Sequence, residues 1–327
     1  MRATIIGATG FIGRRLSEVC LCRSEQITAL VRDPRAAETL KKLGIHAVIG
    51  DLADEDAICR ACARADAVFN LAGLLGGWGA SERDLEAVNA LAPGRVVRCA
   101  ADAGAERVIH VSTAGVSGPL PRVVAATEDY PPQPMTAYQR TKLAGEEAAL
   151  FEHFRTGMPL TIVRPAFVYG PGDSRKLSLF RAVARRRFVL VDRGSSRLHP
   201  IYAGDLAEGL LSAAAHSPGK AEIYILAGPR PVTVRKLVET IAWALAVPAP
   251  AFSAPKCVLM PMAGTAELAA RLLHIEPILT RSRVDLLSAN YAYCTDKARR
   301  ELGFRALVDL PTGVKSTAEW YREKGLL

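Results

Sequence analysis

The stretch that decides the fold lies at the start of the chain and reads MRATIIGATGFIGRRLSEV, residues 1–19. A short apolar run typical of a strand is followed by Gly7, Gly10 and Gly13 at three-residue spacing, and then by an amphipathic stretch. This pattern predicts a strand, a tight turn and the start of a helix. Backbone N–H groups at such a helix start point outward, and glycine permits close approach, so the turn is predicted to hold the pyrophosphate of a dinucleotide.

The composition is typical of a globular protein in a reducing compartment. Half of the 327 residues are hydrophobic, which suits one large α/β unit or two unequal domains. Seven cysteines without framework-like spacing, and no signal peptide before the first strand, predict a cytoplasmic protein without disulfides. Cys59 and Cys62 form a CxxC pair, but no second Cys or His pair completes a zinc site, so no metal is expected.

The net charge of +9 is concentrated in residues 174–188, where basic and apolar residues alternate as on an amphipathic helix. No nucleic-acid module accompanies this stretch, so we expect no nucleic-acid partner, and a phosphate-bearing small ligand or a lipid surface stays open. The apolar stretch 257–273 contains Pro261 and Glu267 and is too broken for a membrane span. It is expected to form a lid or a buried helix, and peripheral membrane contact stays open.

Strands and helices alternate through the first half of the chain. Apolar runs predict strands near residues 2–6, 27–31, 45–49, 67–71, 107–111 and 160–164, and a further strand at 222–226. Such alternation predicts an α/β fold with a doubly wound parallel sheet of the Rossmann type and a second, smaller, mostly helical C-terminal domain. The predicted division is 1–168 and 199–227 for the dinucleotide-binding domain, and 169–198 and 228–327 for the substrate-binding domain.

The end of the second strand is where such a fold selects its nucleotide, because the residue there meets the adenosine ribose. Arg32 stands at this position, and a guanidinium pairs with a 2′-phosphate, whereas an acidic side chain would bind a 2′-hydroxyl. NADP(H) is therefore the preferred cofactor, and Asp33, one place later, leaves NAD(H) open. Residues at two further strand ends are expected to line the cofactor, Asp51 and Leu52 beside the adenine, and Ala72 and Gly73 along its backbone.

Tyr138 and Lys142 are four residues apart, which places them on one face of a predicted helix. A phenol with a reference pKa of about 10 is a poor base at neutral pH, and an adjacent ammonium favours its ionised form. A hydroxyl from Ser112 or Thr113, at the end of the fifth strand, would hold the substrate oxygen while Tyr138 exchanges a proton and a nicotinamide exchanges hydride. This set of residues predicts an oxidoreductase.

Six motifs occur in order along the chain: GATGFIG, NLAG, VSTAGVSG, YQRTK, RPAFVYGPGD and LHPIYAGDLAEG. Together they resemble the extended short-chain dehydrogenase/reductase superfamily, or NAD-dependent epimerase/dehydratase family, over nearly the whole chain. The resemblance implies that Thr113 is the catalytic hydroxyl, that Asn89 helps to position the active-site lysine or its water, and that Pro165 and Val168 touch the nicotinamide carboxamide. It also implies a homodimer through the helices that contain Asn89 and Lys142.

The motifs and the resemblance together define a set of predicted site residues without a metal ligand. The predicted catalytic residues are Thr113, Tyr138, Lys142 and Asn89. The predicted cofactor-binding residues are Gly7, Thr9, Gly10, Phe11, Ile12, Gly13, Arg32, Asp51, Leu52, Leu71, Ala72, Gly73, Val111, Tyr138, Lys142, Pro165 and Val168. The predicted substrate contacts are Leu75, Trp78, Thr113 and Phe167.

The branch of the superfamily decides the substrate. Dehydratases that resemble this chain carry an Asp-Glu pair after the catalytic threonine, and Ala114 and Gly115 stand there instead, so a dehydratase is not expected. TALVRDP and STAGV look like the 3β-hydroxysteroid dehydrogenase and dihydroflavonol reductase branches. The apolar side chains of Leu75, Trp78 and Phe167 fit a substrate of that kind.

Two alternatives stay open. A nucleotide-sugar 4-epimerase needs cations for its diphosphate, which Arg175, Lys176, Arg193 and Arg197 could supply. A non-catalytic NADP-binding accessory subunit needs no intact Thr, Tyr and Lys, and all three are present. The predicted function is NAD(P)-dependent interconversion of a secondary alcohol and a ketone on an apolar, sterol-like or alicyclic small molecule, in a cavity lined mainly by carbon.

Overall fold

A parallel sheet lies at the centre of the protein. The computed structural model describes residues 1–76, 81–216, 219–273 and 279–327. The strands within these ranges are β1 (Arg2–Ile6), β2 (Gln26–Val31), β3 (His46–Ile49), β4 (Ala67–Asn70), β5 (Val108–Val111), β6 (Leu160–Pro165), β7 (Phe167–Tyr169), β8 (Leu190–Val191), β9 (Arg197–Leu198), β10 (Pro200–Tyr202), β11 (Glu222–Leu226), β12 (Val232–Thr233) and β13 (Ser253–Ala254). Seven of them form the parallel sheet, in the order β11-β6-β5-β4-β1-β2-β3. The others form two-stranded pairs, β7 with β10, β8 with β13 and β9 with β12.

Helices cover both faces of this sheet. They are α1 (Phe11–Cys22), α2 (Pro34–Lys42), α3 (Glu55–Cys62), α4 (Glu82–Leu85), α5 (Ala92–Asp102), α6 (Ala137–Thr156), α7 (Leu177–Ala184), α8 (Ala203–Ala215), α9 (Val234–Leu245), α10 (Lys256–Leu273), α11 (Arg281–Ser288), α12 (Asp296–Glu301) and α13 (Leu310–Glu323). A π-helical segment, Glu86–Leu91, joins α4 to α5, and Ala114–Ser117 and Asp192–Gly194 are 3₁₀ turns. Helices α1, α2 and α8 pack on one face, and α3, α5 and α6 on the other.

The strand sequences explain this double covering. Every residue of β4, β5 and β6 is buried, as expected of parallel strands with helices on both faces. Neighbouring residues of β1 enter different cores, since Ile5 packs with Leu16 of α1 and Ile6 packs with Ile58 of α3. The predicted α/β fold with its doubly wound sheet is confirmed.

The strand order reverses between β1 and β4. Strand β1 pairs with β2 on one side and with β4 on the other, and the connections from these strands leave toward opposite faces. Such a reversal opens a crevice beyond the carboxyl ends of the strands, which is where ligands of this fold bind. The turns after β1, β2, β4 and β5 therefore share one edge of the sheet.

The C-terminal part of the chain is mostly helical, as predicted. Helices α7, α9 and α13 share a core that includes Phe180, Ile241 and Tyr321. The helix predicted within residues 174–188 is shorter than expected, because α7 ends at Ala184. The predicted domain boundaries stay a prediction.

The apolar stretch that was expected to form a lid or a buried helix is α10. Its Met262 is 53% exposed and its Leu268 is 62% exposed, so α10 is not buried on all sides. Among the residues that the structure describes, no helix is long and apolar enough to cross a membrane.

The turn after β1 depends on a glycine for two separate reasons. Gly7 has φ +91°, and a Cβ there would lie 2.9 Å from the backbone nitrogen of Ala72. Gly44 has a similar φ of +82° but no atom within 4 Å of a Cβ. The two positions therefore separate backbone strain from steric overlap.

We expect Gly7→Ala to lower the free energy of unfolding clearly more than Gly44→Ala does. At Gly44, alanine costs only the left-handed backbone conformation, about 1–2 kcal/mol. At Gly7 the same cost is joined by displacement of the loop after β4. Urea unfolding of both variants measures the difference, and equal losses would mean that this loop yields freely.

Candidate active site

The turn between β1 and α1 offers backbone N–H groups to an anion. A Cβ on Gly13 would lie 2.1 Å from the carbonyl oxygen of Gly7, so the absence of a side chain lets α1 pack directly on the turn. Gly10 is the N-cap of α1 and makes no side-chain cap, which leaves the first N–H groups of the helix for a ligand. Thr9 beside them is exposed, and Phe11 and Ile12 are half-buried. The turn fits a pyrophosphate.

The end of β2 carries an exposed guanidinium. The side chain of Arg32 is 76% exposed, and its Nε lies 3.9 Å from Oδ2 of Asp51, which follows β3. The Asp33 carboxylate is engaged elsewhere, because its Oδ1 accepts the N–H of Arg35 at 2.9 Å and caps α2. Leu52 is half-buried and packs against the core below. A cation thus stands where the adenosine ribose is expected.

The loop after β4 lies next to the π-helical segment and α6, which carry three of the predicted catalytic residues. A Cβ on Gly73 would lie 3.5 Å from Asn89 Oδ1 and 3.8 Å from Lys142 Nζ. Three residues on, a Cβ on Gly76 would lie 3.8 Å from the Cβ of Tyr138. Segments that are distant in sequence therefore converge on this loop at the carboxyl edge of the sheet.

Asn89 is fully buried in the π-helical segment and fastens this loop. Its Oδ1 accepts the N–H of Leu74 at 2.9 Å, and its Nδ2 donates to the Leu74 carbonyl at 2.8 Å and to Thr141 Oγ1 at 3.2 Å. No hydrogen bond from Asn89 to Lys142 is among the described contacts, although both groups border Gly73. The geometry thus gives Asn89 a loop-holding contact, and its predicted role toward the lysine stays a prediction.

Thr113 and Tyr138 meet, and Ser112 does not join them. Thr113 Oγ1 accepts the Gly115 N–H at 3.1 Å, and the Thr113 side chain is close enough to the Tyr138 phenol to lower its pKa. The Ser112 hydroxyl is buried and has no hydrogen-bond partner among the described residues. Tyr138 lies in the first turn of α6, whose start is set by the capping box of Thr136 and Gln139.

The expectation that Lys142 lowers the pKa of Tyr138 is not met. Burial of the phenol raises the pKa of Tyr138 to about 12, and the effects that oppose this rise come from Arg175 and from the Thr113 hydrogen bond. The Lys142 ammonium is engaged elsewhere, because its Nζ donates to the carbonyl of Val111, the last residue of β5, at 2.7 Å. At neutral pH Tyr138 is a protonated phenol.

Lys142 itself is only 2% exposed. Burial lowers the pKa of Lys142 to about 8, and the nearby Glu146 carboxylate partly offsets this effect. Val111, a predicted cofactor contact, thus engages the lysine through its carbonyl oxygen. The lysine titrates close to physiological pH, which suits a group that passes a proton on.

The remaining predicted contacts border the same edge. Leu71 and Ala72 are half-buried after β4, Pro165 is buried at the end of β6, and Val168 is half-buried in β7. Among the predicted substrate contacts, Phe167 is half-buried and Leu75 is 40% exposed. Trp78 lies outside the described residues.

The four cations considered for a diphosphate do not all lie at Tyr138. Asp173 accepts the N–H groups of Arg175 at 2.8 Å and Lys176 at 3.4 Å, and this turn brings the Arg175 charge within electrostatic reach of Tyr138. Lys176 Nζ lies 4.5 Å above the Phe167 ring. For Arg193 and Arg197, no electrostatic effect on Tyr138 is among the described interactions.

Those two arginines belong to the C-terminal part of the structure. The backbone N–H of Arg193 donates to Ser253 Oγ at 2.8 Å, and that of Arg197 donates to Asn290 Oδ1 at 2.9 Å. Among the described residues, only Arg175 acts electrostatically on the Tyr138 phenol.

The CxxC pair is a packing feature of α3. Cys62 is fully buried, and burial raises its pKa to about 12, which describes an inert thiol. All seven cysteines are free thiols. Within the described ranges, no three His, Cys, Asp or Glu side chains are grouped so that they could hold a metal ion.

One feature near the site was missed by sequence reasoning. Below Lys142, the carboxylate of Glu146 forms a buried ion pair with Arg164. The available signal was position, because Glu146 follows Lys142 by four residues on the same helix face. Arg164 gave no signal of its own, since it stands inside a strand that is otherwise apolar.

Comparison with known proteins agrees with this geometry. The model of the NAD dependent epimerase/dehydratase family matches residues 3–227, and the chain belongs to this family. The predicted superfamily is thereby confirmed. Fold, site and family together define an NAD-dependent oxidoreductase.

Several proteins of similar sequence are reductases and dehydrogenases. The chain is 29% identical to a 4-hydroxy-2-methyl-3-oxo-4-farnesyl-3,4-dihydroquinoline-1-oxide ketoreductase of Stigmatella aurantiaca, over 96% of this chain and 95% of that protein. It is 26% identical to a 2-alkyl-3-oxoalkanoate reductase of Stenotrophomonas maltophilia, over 96% of this chain and 98% of that protein. It is also 26% identical to a 3 beta-hydroxysteroid dehydrogenase/Delta 5-->4-isomerase of Mycobacterium tuberculosis, over 98% and 90%.

A solved structure shares the fold at lower sequence identity. The UDP-glucuronic acid 4-epimerase of Bacillus cereus, in complex with NAD, superposes with a TM-score of 0.78 over 99% of each chain, at 18% identity. At this identity the likeness concerns the fold alone. It leaves the choice between reductase and epimerase to the residues of the site.

Proposed function

We propose that this protein interconverts a ketone and a secondary alcohol on a largely apolar substrate. The observation that carries the proposal is the arrangement of the buried Tyr138 phenol beside Thr113 and one helical turn before the buried Lys142, with the pKa of Tyr138 raised to about 12. A phenol that stays protonated at neutral pH is a proton donor for the alkoxide that forms when a carbonyl is reduced. A nicotinamide, when bound, supplies or accepts the hydride.

The residues of the chain divide the remaining work. Thr113 holds the carbonyl oxygen next to the Tyr138 hydroxyl, so that the proton has a short path to it. The buried Lys142 ammonium, fixed on the Val111 carbonyl, is placed to return a proton toward the site from below. The glycines after β1 and Gly73 keep the backbone open for the cofactor.

The apolar nature of the substrate is inferred from the surroundings of Tyr138. Leu75 after β4 and Phe167 in β7 are the apolar side chains predicted to contact the substrate, and burying apolar rings against them would contribute about 25 cal/mol per Å². The names of the Stigmatella and Mycobacterium relatives describe a farnesyl-bearing ketone and a steroid, which supports this inference. Of the four cations considered for a diphosphate, Arg175 is the one that acts on Tyr138 among the described residues, which weighs against the epimerase alternative.

Replacement of Tyr138 by Phe tests the reaction. We expect at least a 100-fold loss of ketone reduction, in line with removal of a general acid. The affinity for the nicotinamide cofactor, measured by its fluorescence, is expected to change less than about threefold, because the glycine turn between β1 and α1 is unchanged. A Tyr130→Phe variant is the matched control, and full activity in Tyr138→Phe contradicts the proposal.

We also propose that NADP(H) is preferred over NAD(H). The exposed Arg32 guanidinium stands at the ribose position, and the Asp33 carboxylate is occupied in capping α2. Both observations favour a 2′-phosphate over a 2′-hydroxyl.

For the cofactor, we expect Arg32→Asp to weaken NADPH at least tenfold and to leave NADH within about threefold, because only NADPH loses an ion pair. Arg300→Asp makes the same charge change on α12, beside β11 at the other edge of the sheet, and this control is expected to change neither affinity. Titration calorimetry with both cofactors measures this. Equal affinity of the unmodified protein for NADPH and NADH would refute the preference.

A second candidate substrate carries an acidic group beside the carbonyl. Arg175 is exposed, and the described contacts give its guanidinium no acidic partner, yet its charge reaches Tyr138. A carboxylate two bonds from the reacting carbon would supply that partner. The 3-oxoalkanoate in the name of the Stenotrophomonas relative is a compound of this type.

The two candidates are separated by Arg175→Gln. If the substrate is a 3-oxo acid, we expect KM for a long-chain 3-oxo acid to rise at least tenfold and KM for an alicyclic ketone to stay within about twofold. The substrate screen includes sterols, alicyclic alcohols, flavanonol-like ketones and UDP-sugars. Epimerisation of a UDP-sugar, with all ketones inert, would replace the proposed function.

A homodimer in the cytoplasm completes the proposal. Leu91, Phe151 and Phe154 are apolar and 50%, 66% and 78% exposed on the helical segments that contain Asn89 and Lys142. Burial of these side chains against a second copy would remove them from water. Sedimentation at twice the 35.1 kDa chain mass is the expected result.

A further inference from the structure

A buried ion pair joins α6 to the sheet one helical turn after the predicted catalytic lysine. Arg164 Nε lies 3.0 Å from Glu146 Oε1, and Arg164 Nη2 lies 2.7 Å from Glu146 Oε2. The two side chains are only 4% and 2% exposed. Arg164 Nη1 also donates to the Glu128 carbonyl at 3.1 Å, so the guanidinium is held on a second side.

The ion pair and Lys142 connect the same three elements, α6, β5 and β6. Lys142 Nζ donates to the Val111 carbonyl at 2.7 Å, and Val111 of β5 lies opposite Val163 of β6. Arg164 is the next residue of β6, and its partner Glu146 stands one helical turn after Lys142. Helix α6 is therefore fastened to two neighbouring strands at two points, four residues apart.

The pair also sets the charge that Lys142 experiences. Among the described residues, the ionisable groups that interact electrostatically with the lysine are Glu146 on α6 and His110 on β5. Within the same set of contacts, Arg164 on β6 reaches the lysine only through its partner Glu146, and Tyr138 lies one helical turn before Lys142 on α6. His110 is buried beside Asn70, and burial, together with the Lys142 charge, keeps the pKa of its ring well below the ordinary value, so the ring is neutral. The acid that favours the ammonium of Lys142 is Glu146.

We propose that Glu146, oriented by Arg164, is a positioning residue that keeps Lys142 charged and in place beneath the active site. A buried pair of this kind contributes little net stability compared with apolar side chains of similar volume, so a structural role alone is a weak reason for it. The Glu146 carboxylate, in contrast, favours the charged form of Lys142, and a neighbouring guanidinium is expected to act with the opposite sign. The activity part of the proposal rests on the proposed function, whereas the titration of Lys142 does not.

The opposite signs make the proposal testable by two matched variants. Glu146→Gln removes the favourable carboxylate and leaves the like-charged Arg164, so the Lys142 midpoint is expected to fall by about one unit or more. Arg164→Gln removes the repulsion and leaves Glu146, so the midpoint is expected to rise. In the double variant both side chains are neutral, and its Lys142 midpoint is expected to lie between those of the two single variants. Purely structural damage would move both single variants in the same direction.

The measurement is an NMR titration of lysine ¹³Cε in the full-length protein, with the Lys142 signal assigned by its absence in Lys142→Met. Glu152→Gln is the control, because Glu152 is also on α6 and pairs with Arg155 at 2.7 Å, ten residues from Lys142. We expect no shift of the Lys142 midpoint there. Glu146→Asp retains the charge and is expected to keep the Lys142 midpoint near that of the unmodified protein. Should Glu146→Gln not fold, the fall of the midpoint from Arg164→Gln to the double variant measures the effect of the carboxylate instead.

The outcomes separate this proposal from the proposed function. Shifts of the expected signs, together with a parallel displacement of the pH profile of ketone reduction, support both. Shifts of the expected signs without any change in that profile support the positioning role and remove Lys142 from the proton path. Midpoints that stay within about 0.3 unit in every variant, or that move in one direction, overturn the positioning role.

Discussion

The constraint on which the site depends is the burial of one ammonium group. Lys142 is held between α6 and the sheet by the Val111 carbonyl, away from water, and burial lowers its pKa to about 8. A charge in such a place is tolerated only where hydrogen bonds and an opposite charge compensate for lost hydration. The Val111 carbonyl and the Glu146 carboxylate provide this compensation, and both depend on the register between β5, β6 and α6.

The same packing explains why the catalytic groups have different protonation states. Tyr138 and Lys142 share one helix, but the phenol lies beside Thr113, whereas the ammonium donates to the Val111 carbonyl. Burial acts in opposite directions on the two groups, since it disfavours the phenolate and also disfavours the ammonium. The result is a protonated phenol that can donate, above a lysine that titrates near neutral pH.

The sequence by itself determined the parts whose causes are local. The three glycines after β1 predicted the turn, and their spacing was enough because a strand, a tight turn and a helix start need few neighbours. Alternating apolar runs predicted the parallel sheet, and the four-residue spacing placed Tyr138 and Lys142 on one face. The Arg32 position followed from the end of a strand, whereas the capping role of Asp33 was found only in the structure.

Only the tertiary structure decided how the distant groups act on one another. The sequence suggested that Lys142 would ease ionisation of Tyr138, but α6 directs the lysine to Val111, and burial dominates the phenol. It could not show that Arg164 meets Glu146, because that contact depends on how β6 packs against α6. It also could not separate Arg175 from Arg193 and Arg197. Electrostatic effects depend on distance and on exclusion of water, and both are properties of the folded chain.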